Sequence, residues 1–230
     1  MMFDLNQRMI HLLMFQANFL RDSGLFSGKM GVVLFFAHYY KESSVELYEN
    51  IADELMKQVL EKVHKELPIG LASGLCGIGW GIEYLIQNEF MEGYGVDICE
   101  EIDQKIMETD PRRIIDFSLE TGLEGLLHYV SYHIHGALIK QTTMPFDETY
   151  LTDLVYTVNS LYKKKDVNSK LLILADNYTE FMKKKDIINY EPTLDCFRDR
   201  IEIDEKKLID YPIGLKDGLA GALLKSIINL

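Results

Sequence analysis

The chain has 230 residues, 47% of them apolar and 26% charged, which is the composition of a globular protein and not of a disordered one. It carries 36 acidic against 24 basic side chains, a formal net charge of −12. That balance argues against nucleic-acid binding, which needs a positive surface, and against docking on an anionic membrane.

The opening run Met1-Met2-Phe3-Asp4-Leu5 has no basic segment followed by an apolar core, so no signal peptide is expected. Phe3 to Arg21 mixes apolar and charged residues at helical spacing and predicts a first helix. Gly24-Leu-Phe-Ser-Gly28-Lys-Met-Gly31 follows, then an apolar run from Met30 to Tyr40. Val45 to Glu66 predicts an amphipathic helix, with Val45, Tyr48, Ala52, Leu55, Met56, Val59, Leu60 and Val63 on one face. Gly70-Leu-Ala-Ser-Gly74-Leu-Cys-Gly77 repeats the first glycine motif 46 residues on. The longest uncharged stretch, Leu67 to Ile82, holds five glycines in sixteen residues and is too short and broken to span a bilayer.

Val96 to Glu108 predicts a third outer helix, and Ser118-Leu-Glu-Thr-Gly122-Leu-Glu-Gly125 carries the motif a third time, 48 residues after the second. Thr149 to Lys164 predicts a fourth outer helix. The motif returns at Gly214-Leu-Lys-Asp-Gly218-Leu-Ala-Gly221 after a gap of 96, twice 48, which points to a degenerate copy at Asp166-Val-Asn-Ser169. A fifth outer helix is expected over Asp195 to Leu208. The register predicts inner helices starting near Gly28, Gly74, Gly122, Lys170 and Gly218, each opened by a polar N-cap at Ser27, Ser73, Thr121, Ser169 or Asp217. Paired glycines in the first turns lower intrinsic helix stability, so close helix approach is expected there. No segment alternates with period two for long enough to make a strand. One all-α domain over residues 1–230 is expected, an α/α toroid or arc of about five helical hairpins.

The recurring Gly-Leu-x-x-Gly-x-x-Gly helix start resembles the lanthionine synthetase C-like family, through Gly24–Gly31, Gly70–Gly77, Ser118–Gly125 and Gly214–Gly221. The resemblance implies concentric helices around a lumen. In the cyclases of that family it also implies a zinc on two Cys and one His, which activates a thiol of a precursor peptide. The family's Cys-His-Gly and Cys-Tyr-Gly ligand slots hold Phe26-Ser27, Ala72-Ser73, Glu120-Thr121, Asn168-Ser169 and Lys216-Asp217 here. None is a Cys or His, so no zinc, no other cofactor and no cyclase activity are expected. What remains is a shortened, non-cyclase relative.

Other motifs lead less far. Cys76, Cys99 and Cys196 form no C-x-x-C and no disulfide framework, which suits a reduced, cytoplasmic protein. Cys76 reads as a buried small hydrophobe. His128 and His135 share a helix face two turns apart, His133 points elsewhere, and a zinc between Cys76 and His128 is the remote metal option. Gly24-Leu-Phe-Ser-Gly28-Lys29 is one residue short of a phosphate loop, and no strand precedes the glycine-rich run Gly74–Gly81. Glu120 and Glu124 offer half of an acid–base pair of the kind α/α-toroid sugar hydrolases use. The lysine runs at 163–165 and 183–185 read as solvated helix ends. Trp80, Tyr84, Tyr129 and Tyr132 either line the lumen or pack the core. If the inner helices all start at one rim, their free N–H groups suit an acidic group or an extended peptide. The expected role is therefore a peptide- or partner-binding component of bacterial, lantibiotic-like peptide modification or export, with Ser27, Ser73, Thr121, Asp217, Trp80 and Glu124 as binding residues. The alternative is a metal-free enzyme such as a sugar hydrolase.

Overall fold

The computed structural model describes residues 4–63, 67–164, 167–186, 188–191, 193–199 and 201–228. Met1 to Phe3, Glu66, Lys165 and Asp166, which figure in the expectations above, lie outside them. The described residues contain helices and turns and no strand. In chain order the helices are α1 (Leu5–Ala17), α2 (Lys29–Ser43), α3 (Glu46–Val63), α4 (Leu75–Gln87), α5 (Gly95–Ile98), α6 (Glu100–Met107), α7 (Leu123–Lys140), α8 (Glu148–Leu161), α9 (Ser169–Lys184) and α10 (Leu219–Ile228). The five inner helices α2, α4, α7, α9 and α10 each start within one residue of the position that the repeat register predicts.

Their N-termini are not built as expected. Gly28, Gly74 and Gly122 are the N-cap residues, in extended conformation, and no side chain caps them. The preceding Ser27, Ser73 and Thr121, with Asp217 in the fifth copy, are exposed instead. The loop carbonyls do the capping. Leu75 N–H bonds to Pro68 O at 2.9 Å, Lys29 to Asp22 O at 3.0 Å, Leu123 to Asp116 O at 3.0 Å and Leu219 to Pro212 O at 2.9 Å. Each acceptor lies seven residues upstream of its donor. In three copies the next N–H is used the same way: Met30 to Ser23 O, Cys76 to Ile69 O and Ala220 to Ile213 O. A helix leaves its first N–H groups without intrahelical partners, and here the chain's own backbone supplies them. The free-N–H rim of the sequence reading is thereby corrected. The degenerate fourth copy differs, because Asn168 caps α9 through its side chain, 3.0 Å from Lys170 N.

The loops are also bonded to one another. Lys216 N–H donates to Phe26 O at 3.1 Å, with Leu215 N–H on the same oxygen at 2.6 Å; Phe26 N–H donates to Ala72 O at 2.9 Å and Ala72 N–H to Glu120 O at 2.9 Å. The third position of each motif therefore ties to the third position of the next, in the spatial order fifth, first, second, third. Glycine permits this approach: a Cβ on Gly24 would lie 2.2 Å from Ser73 Cα. Gly214 and Gly70 make the same approach to Ser27 and Thr121. Ser118 fills that slot in the third copy. The helices follow the same order, with α10 beside α2, α2 beside α4, α4 beside α7 and α7 beside α9.

The outer elements are less regular. α3 packs on α2 with Ala52, Leu55, Met56, Val59 and Val63 buried, while Val45 precedes the helix and is exposed. α6 packs on α4, α8 on α9 and α1 on α10, which joins the first helix of the chain to the last. The third outer helix is broken into α5 and α6 at Cys99, whose backbone leaves the helical range. Among the described residues of 195–208 there is no α-helix; they contain parts of two short 3-10 turns, Leu194–Phe197 and Glu205–Asp210. Helical spacing there loses to tertiary contacts. Phe197 is drawn against Trp80, His128 and Phe26, and the Arg198 guanidinium donates to Gly221 O at 2.8 Å.

The second glycine of the motif separates two kinds of close approach. A Cβ on Gly77 would meet the Leu71 carbonyl oxygen at 1.9 Å, a rigid backbone atom, whereas one on Gly81 meets the flexible Met30 side chain at 2.5 Å. Gly77→Ala is expected to lose about 2–3 kcal/mol. Gly81→Ala should stay within about 1 kcal/mol of wild type, because helix propensity offsets a small repacking. Urea unfolding of the two variants checks the contrast.

Candidate functional site

Trp80 of α4, His128 of α7 and Tyr190 of the segment after α9 meet in the interior between the inner helices. Trp80 and Tyr190 lie on residues separated by 110 positions, yet Trp80 Nε1 is 2.9 Å from the Tyr190 hydroxyl. That hydroxyl is 2.8 Å from His128 Nδ1. An indole N–H can only donate, so the tyrosine oxygen accepts from Trp80, and the same hydroxyl shares a hydrogen bond with His128 Nδ1. Burial, with the Lys170 ammonium nearby, lowers the His128 pKa to about 4 and keeps the ring neutral. Tyr132, Phe197 and Tyr84 pack around the same indole. Trp80 is fully buried, so the lumen-lining alternative gives way to packing, and the chain's own Tyr190 and Phe197 fill that space.

His128 also lines a cleft of about 400 Å³ between α7, α9 and residues 189–196. Its polar lining includes Glu124, Lys170, Asn177, Tyr190 and Glu191, and its apolar lining is Leu119, Ile173 and Leu174. That size and mixture suit a ligand-binding cleft. Glu124 stands one turn before His128 on α7. Burial raises its pKa, opposed by the Asn168 amide, whose Nδ2 lies 3.1 and 3.3 Å from the two carboxylate oxygens, and by Lys170. The cleft thus offers a desolvated carboxyl group, a neutral imidazole and an ammonium beside an apolar wall. Cys196 lines it too, with Sγ 3.1 Å from Thr193 Oγ1.

The other predicted site residues do not converge there. Ser27, Ser73 and Asp217 are exposed on their loops, and Thr121 donates to Asp116 of its own loop at 2.6 Å. Glu120 forms an ion pair with Lys216 of the fifth copy and does not stand beside Glu124 as a second catalytic carboxylate. Cys76 is buried, and burial pushes its thiol pKa up, which fits the small-hydrophobe reading. The family's zinc set does not fit these residues: the ligand slots hold no Cys or His. Among the described residues no group of three or more His, Cys, Asp or Glu side chains is placed to hold a metal ion.

One buried cluster escaped the sequence reading. His133 of α7 is fully buried, with Nδ1 2.5 Å from Glu83 Oε1 of α4 and Nε2 2.9 Å from Asp103 Oδ2 of α6. Tyr129 donates to the other Asp103 oxygen at 2.6 Å, and the Gln87 amide donates to Glu83 at 2.8 Å. Gly95 and Gly136 leave room for the Glu83 carboxylate. The two carboxylates sit on opposite edges of the imidazole, so both ring nitrogens carry protons. Burial alone lowers the His133 pKa, but the hydrogen bonds and charges of Asp103 and Glu83 outweigh it and raise the value to about 9. Glu83 and His133 lie 50 positions apart, and only an apolar stretch interrupted by an isolated Glu in the sequence hinted at them.

The raised pKa has a pH consequence with a defined sign. A histidine held above its ordinary value of 6.5 contributes stability that is complete below pH 6.5 and lost as pH rises through about 9. Unfolding free energy is expected to fall between pH 7 and 9.5. His133→Gln should be destabilised by about 3–5 kcal/mol at pH 7, since it leaves two carboxylates buried without their cation. It should also lose most of that fall. Urea titrations at a series of pH values check both. Compared with family models, with curated proteins and with solved structures, the chain gives no match.

Proposed function

We propose that the chain is a shortened α/α toroid of the lanthionine synthetase C-like kind, with four helical hairpins and a fifth inner helix, that binds a neutral or basic peptide or a partner protein without cyclising it. The cyclic order of the loops and the packing of α1 on α10 support the toroid reading. The cleft between α7 and α9 carries the binding reading, with Glu124 and Glu191 facing Lys170 across an apolar wall. Two carboxylates against one ammonium, on a chain of net charge −12, favour a neutral or basic ligand. The rim of helix N-termini is the weaker place for it, because loop carbonyls already occupy the N–H groups an extended peptide would use. A role in bacterial peptide modification or export follows from the family resemblance alone.

A second reading, hydrolysis of a sugar, draws on one observation: Glu124, whose pKa burial raises, shares its cleft with the carboxylate of Glu191. Two carboxyl groups across a cleft, one of them with a raised pKa, are the kind of pair that glycoside hydrolysis uses.

Fluorescence anisotropy with peptides drawn from an array of neutral and basic sequences separates these readings. Ile173→Trp, which fills the cleft, and Glu124→Ala are each expected to weaken peptide binding tenfold or more, and Ser73→Trp on the rim to leave it within twofold. Loss on Ser73→Trp with unchanged binding in the two cleft variants would return the site to the rim. Turnover of aryl glycosides that Glu124→Gln abolishes would establish the second reading.

A further inference from the structure

The α7–α9 cleft holds its one buried carboxyl group in a way that selects among cations. Glu124, His128 and Leu174 are buried at its floor, while Lys170, Ile173 and Glu191 are exposed at its mouth. The floor therefore ends in a carboxyl group beside a neutral ring, reached along the apolar side chains of Ile173 and Leu174. A long aliphatic stem with a charged tip suits that path, because its methylenes pack on apolar surface while the tip finds a partner. Asn168 decides which tip. Its amide nitrogen lies 3.3 Å from Glu124 Oε1 and 3.1 Å from Oε2, so it stands between the two oxygens. A guanidinium pairs best with a carboxylate by placing two parallel N–H groups on that same edge. An ammonium is a compact point charge and needs only one free lone pair on one oxygen. The shared edge is taken and the outer lone pairs remain. The Lys170 charge reaches both Glu124 and His128 and works against any cation here, while the Glu191 carboxylate at the mouth works for it.

We propose that the cleft is an ammonium site of the lysine type: it takes a primary ammonium on an aliphatic stem, with the stem along Ile173 and Leu174 and the ammonium on Glu124, and Asn168 disfavours a guanidinium in its place. The inference rests on the reading of this cleft as the binding site and adds what the cleft selects. The ammonium arrives either on a lysine side chain or as the amino terminus of a chain that begins with an apolar residue. The chemistry is the same for both.

Calorimetric titration of the purified chain with the N-acetyl N-methylamides of lysine, arginine and norleucine, and with leucinamide, tests it. Wild type is expected to bind the lysine derivative about tenfold more tightly than the other two derivatives. Glu124→Gln, which keeps the size of the side chain, should bring the lysine and norleucine derivatives within twofold of each other. Asn168→Ser, which removes the amide but keeps a side-chain cap for α9, should bring the arginine derivative within threefold of the lysine one. Lys170→Gln should tighten the lysine derivative at least twofold. Circular dichroism and urea midpoints confirm that each variant is folded. Leucinamide bound more tightly than the lysine derivative assigns the site to a chain terminus, and the reverse order assigns it to a side chain. Equal affinity for the lysine and norleucine derivatives, a lysine-over-arginine preference that Asn168→Ser leaves unmoved, or no binding of either amine would each overturn the proposal. The peptide reading fails separately. Array peptides that lose affinity in Ile173→Trp, yet keep it when their lysines become norleucine and their amino termini are acetylated, overturn the ammonium site alone. Amine binding that Glu124→Gln removes, with no array peptide bound, supports the ammonium site and overturns the peptide reading.

Discussion

The closure of each glycine loop onto the helix it precedes is the interaction on which the rest of this structure depends. A carbonyl seven residues upstream accepts from the first N–H of α2, α4, α7 and α10. That bond needs the chain to curl back within hydrogen-bond reach of its own helix start. The curl brings the N-cap position so close to the loop that a side chain there would clash: a Cβ on Gly74 would lie 2.1 Å from Pro68 O. Once closed, the loop presents its third residue edge-on, and backbone bonding there joins it to the next loop. Helix start, glycine spacing and the order of neighbours are thus consequences of one local geometry repeated four times.

The same closure leaves little for an anion at the rim. Helix N-termini attract anions because their N–H groups are unanswered. Here they are answered by rigid backbone carbonyls, and the polar residues next to them face solvent. The interior is not free either, since Tyr190 and Phe197 pack against Trp80. The largest chemical variety collects where the repeat is broken, beside α9. There the fourth motif has lost its glycines, an asparagine caps the helix, and the same Asn168 amide holds Glu124. A regular repeat buries its polar backbone and offers few side chains, so its irregular member is the natural place for a cleft.

The Glu83–His133–Asp103 cluster plays a different part. It links α4, α6 and α7 through charges that are fully dried, at positions where apolar side chains would pack as well or better. Such a cluster fixes how three helices register against each other, because displacing any member leaves a buried charge alone. Its dependence on His133 remaining protonated makes the alignment of α4 and α7, and with it the α7 side of the cleft, sensitive to alkaline pH.

Much of this was legible in the chain. Glycine at fixed offsets from an apolar run has one common physical cause, a tight helix start, and spacing alone placed all five inner helices, the degenerate fourth included. The amphipathic face of α3 followed from periodicity in the same way. The capping group did not, because a serine next to a glycine looks like an N-cap until the loop's path shows a carbonyl there first. The missing fifth outer helix was decided by Phe197 and Arg198, whose partners Trp80 and Gly221 are remote in sequence or lie on another element. Nor does any local pattern bring Tyr190 to His128 or Asp103 to His133, 62 and 30 positions apart. Local spacing determines where the backbone turns. Which side chains share a desolvated interior depends on how the helices pack, and only the tertiary structure decided that.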